Sequence, residues 1–156
     1  MIVSLSDMMR YVLYESEQDK VLLEKELSFI SNYIEVEKIR LTEADIELDL
    51  QGDIASVQIE PLLFLPLVEN AFKHSDAVLT NKKIKMVLDV DEHELTFQVT
   101  NSYNESCNSP KDASGIGLKN LKKRLQLLYP GRHQLNIKKQ HGSFNVFLNL
   151  RFADKQ

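Results

Sequence analysis

The sequence holds one cysteine, Cys107, and no tryptophan. A single thiol excludes any internal disulfide and suits a reducing compartment. Set in a polar stretch, Cys107 reads as an incidental loop thiol. No apolar run approaches the roughly 20 residues that a membrane-spanning helix needs. Met1-Ile2-Val3 passes straight into Ser4-Leu5-Ser6-Asp7, with neither a basic start nor a long apolar core, so no secretory signal is expected. Basic charge is in short supply too. The 19 Lys and Arg against 23 Asp and Glu leave a formal net charge of −4. That removes the electrostatic reason to expect nucleic acid as a partner. Two nucleotide motifs are also missing. There is no Gly-x-x-x-x-Gly-Lys-Ser/Thr, so this is no P-loop site, and no Gly-x-Gly-x-x-Gly, which disfavours a dinucleotide fold. No internal repeat is visible.

What is present fits one domain with a sizeable core: 156 residues, 43% hydrophobic and 27% charged. Helical spacing opens the chain. Leu5, Met8, Met9, Val12 and Leu13 form one stripe, with Ser4 or Ser6 as a possible cap. Leu23, Leu27, Ile30, Ile34 and Leu41 form another between Val21 and Leu41. Such a stripe packs a core or pairs with a second chain. Ile46 to Leu50 alternates as a strand, closed by Gly52-Asp53. Pro61 or Pro66 opens a helix that runs to His74. Ile84 to Val90 and Leu95 to Val99 alternate around Asp91-Glu92-His93, a hairpin pattern. Asn101 to Ser114 is a long polar loop. A helix carrying Leu118, Leu121, Leu125 and Leu128 follows, stopped by Tyr129-Pro130-Gly131. Two strands, 135–139 and 144–152, end the order. The mixture predicts an α+β fold, a two-layer α/β sandwich with a mixed sheet and helices on one face.

Two segments look chemical. In Glu69-Asn70-Ala71-Phe72-Lys73-His74, helical spacing puts Asn70, Lys73 and His74 on one face. An amide oxygen, an ammonium and an imidazole suit a magnesium-nucleotide; a solvated helix face is the competing reading. Ser114-Gly115-Ile116-Gly117-Leu118 sits at a loop-to-helix junction. Glycine there lets backbone approach a ligand, and the first helical amides point at an anion. Glycine starts helices for local reasons as well.

Taken together, the blocks resemble the GHKL (Bergerat-fold) ATPases, and among them the LytS-like sensor histidine kinases. Leu5 to Tyr11 resembles the segment after the phosphoacceptor helix. Val21 to Leu27 and Tyr33 to Arg40 resemble the connecting helix. Pro61-Leu62-Leu63 with Pro66 to His74 resembles the N box. Gly115 to Leu125 with Leu128-Tyr129 resembles the second glycine box. The resemblance divides the chain at residue 41, with 1–41 as the end of the dimerisation and phosphoacceptor region plus the connecting helix, and 42–156 as an ATP-binding catalytic domain. It implies ATP and Mg²⁺ as cofactors. Asn70 would hold Mg²⁺, Lys73 would touch phosphate and His74 would border the nucleotide. The amides of Gly115, Ile116, Gly117 and Leu118 would meet phosphates, beneath a lid at 102–114. Asn101 falls where the family has the Asp that binds the adenine amino group.

Departures accompany the resemblance. Asn101-Ser102-Tyr103 replaces Asp-x-Gly, and Pro66 stands where many relatives carry a Glu, leaving Glu69 as the candidate catalytic carboxylate. His93-Glu94 mimics an acceptor pair but falls in a hairpin turn. No histidine precedes His74, so the acceptor histidine is expected on a separate upstream helix. The function implied is transfer of the γ-phosphate to that histidine and on to a response regulator. The setting implied is a cytoplasmic domain of a homodimeric sensor that reaches the membrane only through upstream segments. The rival is a degenerate nucleotide-binding or dimerisation module without kinase activity.

Overall fold

Side-chain alternation decides the sheet. The computed structural model describes residues 2–41, 44–75, 82–102, 116–140 and 142–153. In it, β4 (Lys83–Val90) and β5 (Glu94–Ser102) pair antiparallel, as their alternation predicts. Asp91 closes their connection, its Oδ1 accepting from the amides of His93 and Glu94 at 2.7 and 2.8 Å. β7 (Ser143–Arg151) flanks β5, and the register stacks Met86, Val99 and Val146 in one row and Leu88, Phe97 and Leu148 in the next. All six are buried, whereas Lys83, Lys85 and Gln98 lie on the exposed face. One packed face and one wet face are what such alternation produces.

β6 (His133–Gln140) pairs with β7 at one edge, and β2 (Asp45–Gly52) pairs parallel with β4 at the other. The mixed sheet therefore runs β2-β4-β5-β7-β6. A parallel neighbour needs a crossover, and α3 (Leu65–Ser75) supplies it. α3 and α4 (Ile116–Leu128) pack on the buried face, and α2 (Leu23–Arg40) packs against α3. This is the expected α+β arrangement. Gly52 ends β2 at φ +88°, and a Cβ there would overlap the Val90 carbonyl oxygen, so the strand end requires glycine.

The amino-terminal segment differs from expectation in detail. α1 (Ile2–Arg10) starts at Ile2, so neither Ser4 nor Ser6 caps it, and a π-helical turn, Tyr11–Glu15, continues it. Its stripe is not core: Leu5, Met9 and Leu13 are 54%, 58% and 60% exposed. Among its described side chains only Tyr11 is buried, stacked on Phe29 with centroids 4.7 Å apart. α2 begins at Leu23 rather than Val21, because β1 (Val21–Leu22) pairs with β3 (Gln58–Ile59) in a small second sheet. Leu23, Leu27 and Ile30 then join Leu63, Phe64, Phe72 and the sheet in one apolar cluster. The segments expected on either side of residue 41 share that cluster. Among the described residues, no helix is long and apolar enough to cross a membrane.

Candidate nucleotide site

α3 is set by the turn before it. Its helix begins at Leu65, with Pro66 in the first turn, where a missing amide hydrogen costs nothing. The Phe64 carbonyl accepts from the amides of Leu67 and Val68 at 3.0 and 3.2 Å, which launches the helix. Leu62 takes a left-handed conformation, φ +56°, an unusual backbone for a side chain of that size. Buried Glu26 on α2 accepts from the amides of Leu62 and Phe64 at 2.9 and 3.2 Å and from the Tyr11 hydroxyl. Arg124 on α4 donates to the carbonyls of Pro61 and Leu62 at 2.7 and 3.3 Å. A second buried carboxylate, Glu60, accepts from the Tyr129 hydroxyl.

From that start, α3 lies across β4 and β5 and buries Asn70 against the sheet, with its Nδ2 lacking any hydrogen-bond partner. Lys73, one turn further, is exposed. His74 lies in α3, with its side chain outside the described residues. Asn101, near the end of β5 on the same buried face, is 1% exposed. Its Nδ2 donates to the Ser102 carbonyl at 3.0 Å, while its Oδ1 is buried without a partner. That bond gives the amide one orientation, with the acceptor oxygen free.

Of the loop expected from Asn101 and the lid expected at 102–114, Asn101 and Ser102 instead belong to β5, whose pairing with β4 and β7 runs to the strand end, and 103–114, with Gly115, lie outside the described residues. Ile116 is the first residue of α4 and exposed, Gly117 is exposed in the first turn, and Leu118 is buried. A Cβ on Gly117 would meet Pro66 Cβ at 3.8 Å, so the two sequence motifs adjoin in space. Glu69 stands apart. Consecutive helical residues point about 100° apart, and Glu69 joins Tyr33, Leu65 and α1 side chains around an apolar groove. Partial burial first, and the nearby Glu37 carboxylate second, push its carboxyl above the ordinary range. A groove of about 1190 Å³ lies elsewhere, at the His93 end of β5.

A buried amide atom without a partner costs about 1–3 kcal/mol unless a ligand supplies one. The free acceptor of Asn101 suits an amino donor such as that of adenine, and the unheld amide of Asn70 can turn its NH₂ to phosphate or its oxygen to a cation. Among the described residues, no group of three or more His, Cys, Asp or Glu is placed to hold a metal. A phosphate-borne Mg²⁺ needs no such cage, since it takes most ligands from phosphate and water. The residues therefore fit Mg-nucleotide.

The residues missed from sequence are Glu26, Glu60 and the backbone contacts of Arg124. For Glu26 a signal existed: it falls among Leu23, Leu27 and Ile30 on the apolar side of α2, where a charge needs partners.

Residues 1–44 match the family model described as "Histidine kinase". The chain is 23% identical over 165 aligned residues to the sensor protein LytS of Staphylococcus saprophyticus, covering 97% of this chain and 28% of that protein. It is 33% identical over 91 residues to the sensor histidine kinase/phosphatase LytS of Staphylococcus aureus, covering 58% of this chain and 15% of that one. The chain is thus similar to LytS-type sensor histidine kinases over almost its whole length. It spans well under a third of those relatives' length. The fold of this chain is that of the catalytic domain of histidine kinase ThkA, with TM-score 0.61, 18% identity, and 85% and 93% of the two chains covered. ThkA in complex with its response regulator TrrA matches at TM-score 0.60 and 16% identity, covering 96% of this chain and 48% of that one.

Proposed function

We propose that this domain binds Mg-ATP between α3, β5 and the start of α4, and passes the γ-phosphoryl group to a histidine carried outside these 156 residues. The observation that supports this best is the pair of buried amides, Asn70 and Asn101, each with an unpartnered atom on the helix-covered face of the sheet. Asn101 Oδ1 accepts the adenine amino group. Asn70 turns its amide oxygen to the metal, and Lys73, which has no carboxylate partner among the described residues, gives its ammonium to phosphate. His74 borders the nucleotide. The amides from Gly115 to Leu118 meet the phosphates at the positive end of α4, with 103–114 closing over them. The magnesium ion, when bound with ATP, screens the phosphate charge.

Positioning and charge screening do most of the work in phosphoryl transfer. Glu69 sits on the side of the amino-terminal helices, from which an acceptor imidazole would arrive, and its carboxylate orients that imidazole by accepting its N–H. The full protein is a two-component sensor with this domain in the cytoplasm, dimeric through its helices, anchored to the membrane by segments outside this sequence, and handing phosphate to a response regulator. Within it, residues 1–41 belong to the helical region and 42–156 to the catalytic domain. The rival, a module that binds nucleotide or dimerises without transfer, rests on Asn101-Ser102-Tyr103, and is favoured if ATP binds but no acceptor helix becomes labelled.

Titration calorimetry with ATP, with and without Mg²⁺, tests the site. Mg²⁺ should tighten binding to the wild type and have little effect on Asn70→Ala. Equal, Mg²⁺-enhanced affinity in both proteins would place the metal elsewhere.

A further inference from the structure

The turn from Glu60 to Phe64 is held from two sides by charges that the phosphoryl-transfer reading does not use. On one side is Glu26, fully buried, with both carboxylate oxygens occupied: Oε2 by the Tyr11 hydroxyl and the Leu62 amide, Oε1 by the Phe64 amide. On the other is Arg124, on the carbonyls of Pro61 and Leu62. The left-handed Leu62 is what turns two nearby amides toward one carboxylate, the geometry by which backbone concavities bind anions. Phe64 links this arrangement to the site. Its amide is bound to Glu26, and its carbonyl is the first acceptor of α3. Where Glu26 sits therefore fixes where α3 starts, and α3 carries Asn70 and Lys73.

Tyr11 adds a connection to the amino-terminal helix. Among the described residues Leu5 and Met9 of α1 are exposed, and the helical stretch it opens is fastened by a buried ring on Phe29 and that ring's hydroxyl on Glu26, together with Met8 against the core and an ion pair from Glu15 to Lys25 at 2.7 Å. Burial, and then the Glu26 carboxylate, hold the Tyr11 phenol well above its ordinary range, so it stays a hydrogen-bond donor at any working pH. Withdrawing Tyr11 would leave a buried carboxylate short of one of its three donors.

We propose that Glu26 is a positioning residue for the nucleotide site, tying the start of α3 to Tyr11 so that nucleotide affinity follows the placement of the amino-terminal helix. This rests on the reading of Asn70 as a nucleotide contact. Gln cannot replace Glu26, because one of its two terminal atoms is a donor and would face an amide.

The test uses the 156-residue chain with Tyr11→Phe, which keeps the stacked ring and loses only the hydroxyl, and Glu26→Gln. Amide hydrogen exchange at Leu62 and Phe64 is followed by NMR without nucleotide, and Mg-ATP affinity by calorimetry well below the melting temperature. Tyr11→Phe should remain folded, exchange the two amides roughly tenfold faster, and bind Mg-ATP about three- to tenfold more weakly; Glu26→Gln should go further in both. A purely structural part would lower the melting temperature and leave the dissociation constant alone, which overturns the proposal. Unchanged exchange in Tyr11→Phe overturns it as well, and does so even if Glu26→Gln fails to fold. A wild type that binds no Mg-ATP overturns the nucleotide reading and this one with it. A wild type that binds, with Tyr11→Phe binding equally, overturns only the positioning.

Discussion

Replacing Gly117 by Ala separates a glycine kept for folding from one kept for a ligand. Gly117 lies in the first turn of α4 with no positive φ, and among the described residues outside its own helical turn the nearest heavy atom to an added Cβ, Pro66 Cβ, is 3.8 Å away. That is ordinary van der Waals contact, so the protein itself has room for the methyl group. Alanine in a helix interior is better than glycine by about 0.5–1 kcal/mol, and about half of that is reasonable in a first turn. For a domain of this size the expected rise in Tm is about 1–2 °C. If phosphates come against the amides at this helix start, the same methyl group stands in their path. Moving an anion off one such amide costs about 1.4 kcal/mol, or tenfold in affinity. Thermal melts without nucleotide and calorimetry with Mg-ATP should therefore move in opposite directions. A lower melting temperature would refute the local geometry. An unchanged dissociation constant would refute close approach of an anion at Gly117.

Three further outcomes follow from the site and its scaffold. Because the Asn101 donor is engaged by Ser102, the wild type should present adenine with an acceptor only. Asn101→Leu should keep the fold and lose about ten- to a hundredfold in ATP affinity, and retained affinity in dissociation-constant measurements would remove Asn101 from the base contact. Gly52→Ala meets both a left-handed backbone and the Val90 carbonyl, and should cost about 2 kcal/mol or more by denaturant titration; a loss under 0.5 kcal/mol would contradict that strand end. The Glu69 carboxyl is raised by burial and Glu37. Its ionisation therefore opposes folding, and this penalty is absent below the unfolded carboxylate range and fully present above the raised folded value. Glu69→Gln should melt at or slightly above the wild type at pH 7, the advantage shrinking as pH falls through the carboxylate range. An advantage that grows toward low pH would reverse the sign.

Much of the fold was legible because period-2 and period-3.6 patterns report which side of an element is dry. Met86, Leu88, Phe97 and Val99 announce the packed face of β4 and β5, and Pro66 marks where α3 can begin. α1 misled the same logic: its apolar stripe has helical spacing yet is largely exposed, because periodicity shows a helix's face and not what covers it. β1 and β3 went unread, since two residues each carry no period. The π-helical turn at Tyr11 has no compositional mark. In the site, Asn70 was found through helical spacing as well as the family motif and Asn101 through the resemblance alone, but which atom of each amide is free depends on Ser102 and on α3 packing, and these are tertiary facts. Glu26 and Glu60 looked like ordinary polar helix and loop residues because their partners, Tyr11, Tyr129 and two backbone amides, are mostly 15 to 69 residues away along the chain.

The apolar cluster that runs from α2 into the sheet has a bearing on how the molecule comes apart. Leu23, Leu27, Ile30 and Ile34 touch the same interior as Leu63, Phe64 and Phe72, and Tyr33 meets the Phe72 ring edge-on. Cutting the chain near residue 41 would not release two self-sufficient pieces. It would strip the cover from α3 and leave large side chains facing water, which invites aggregation. Heating should accordingly give one calorimetric transition with equal van't Hoff and calorimetric enthalpies, and a protease that nicks the chain near residue 42 should be followed by loss of the whole domain rather than by survival of the sheet.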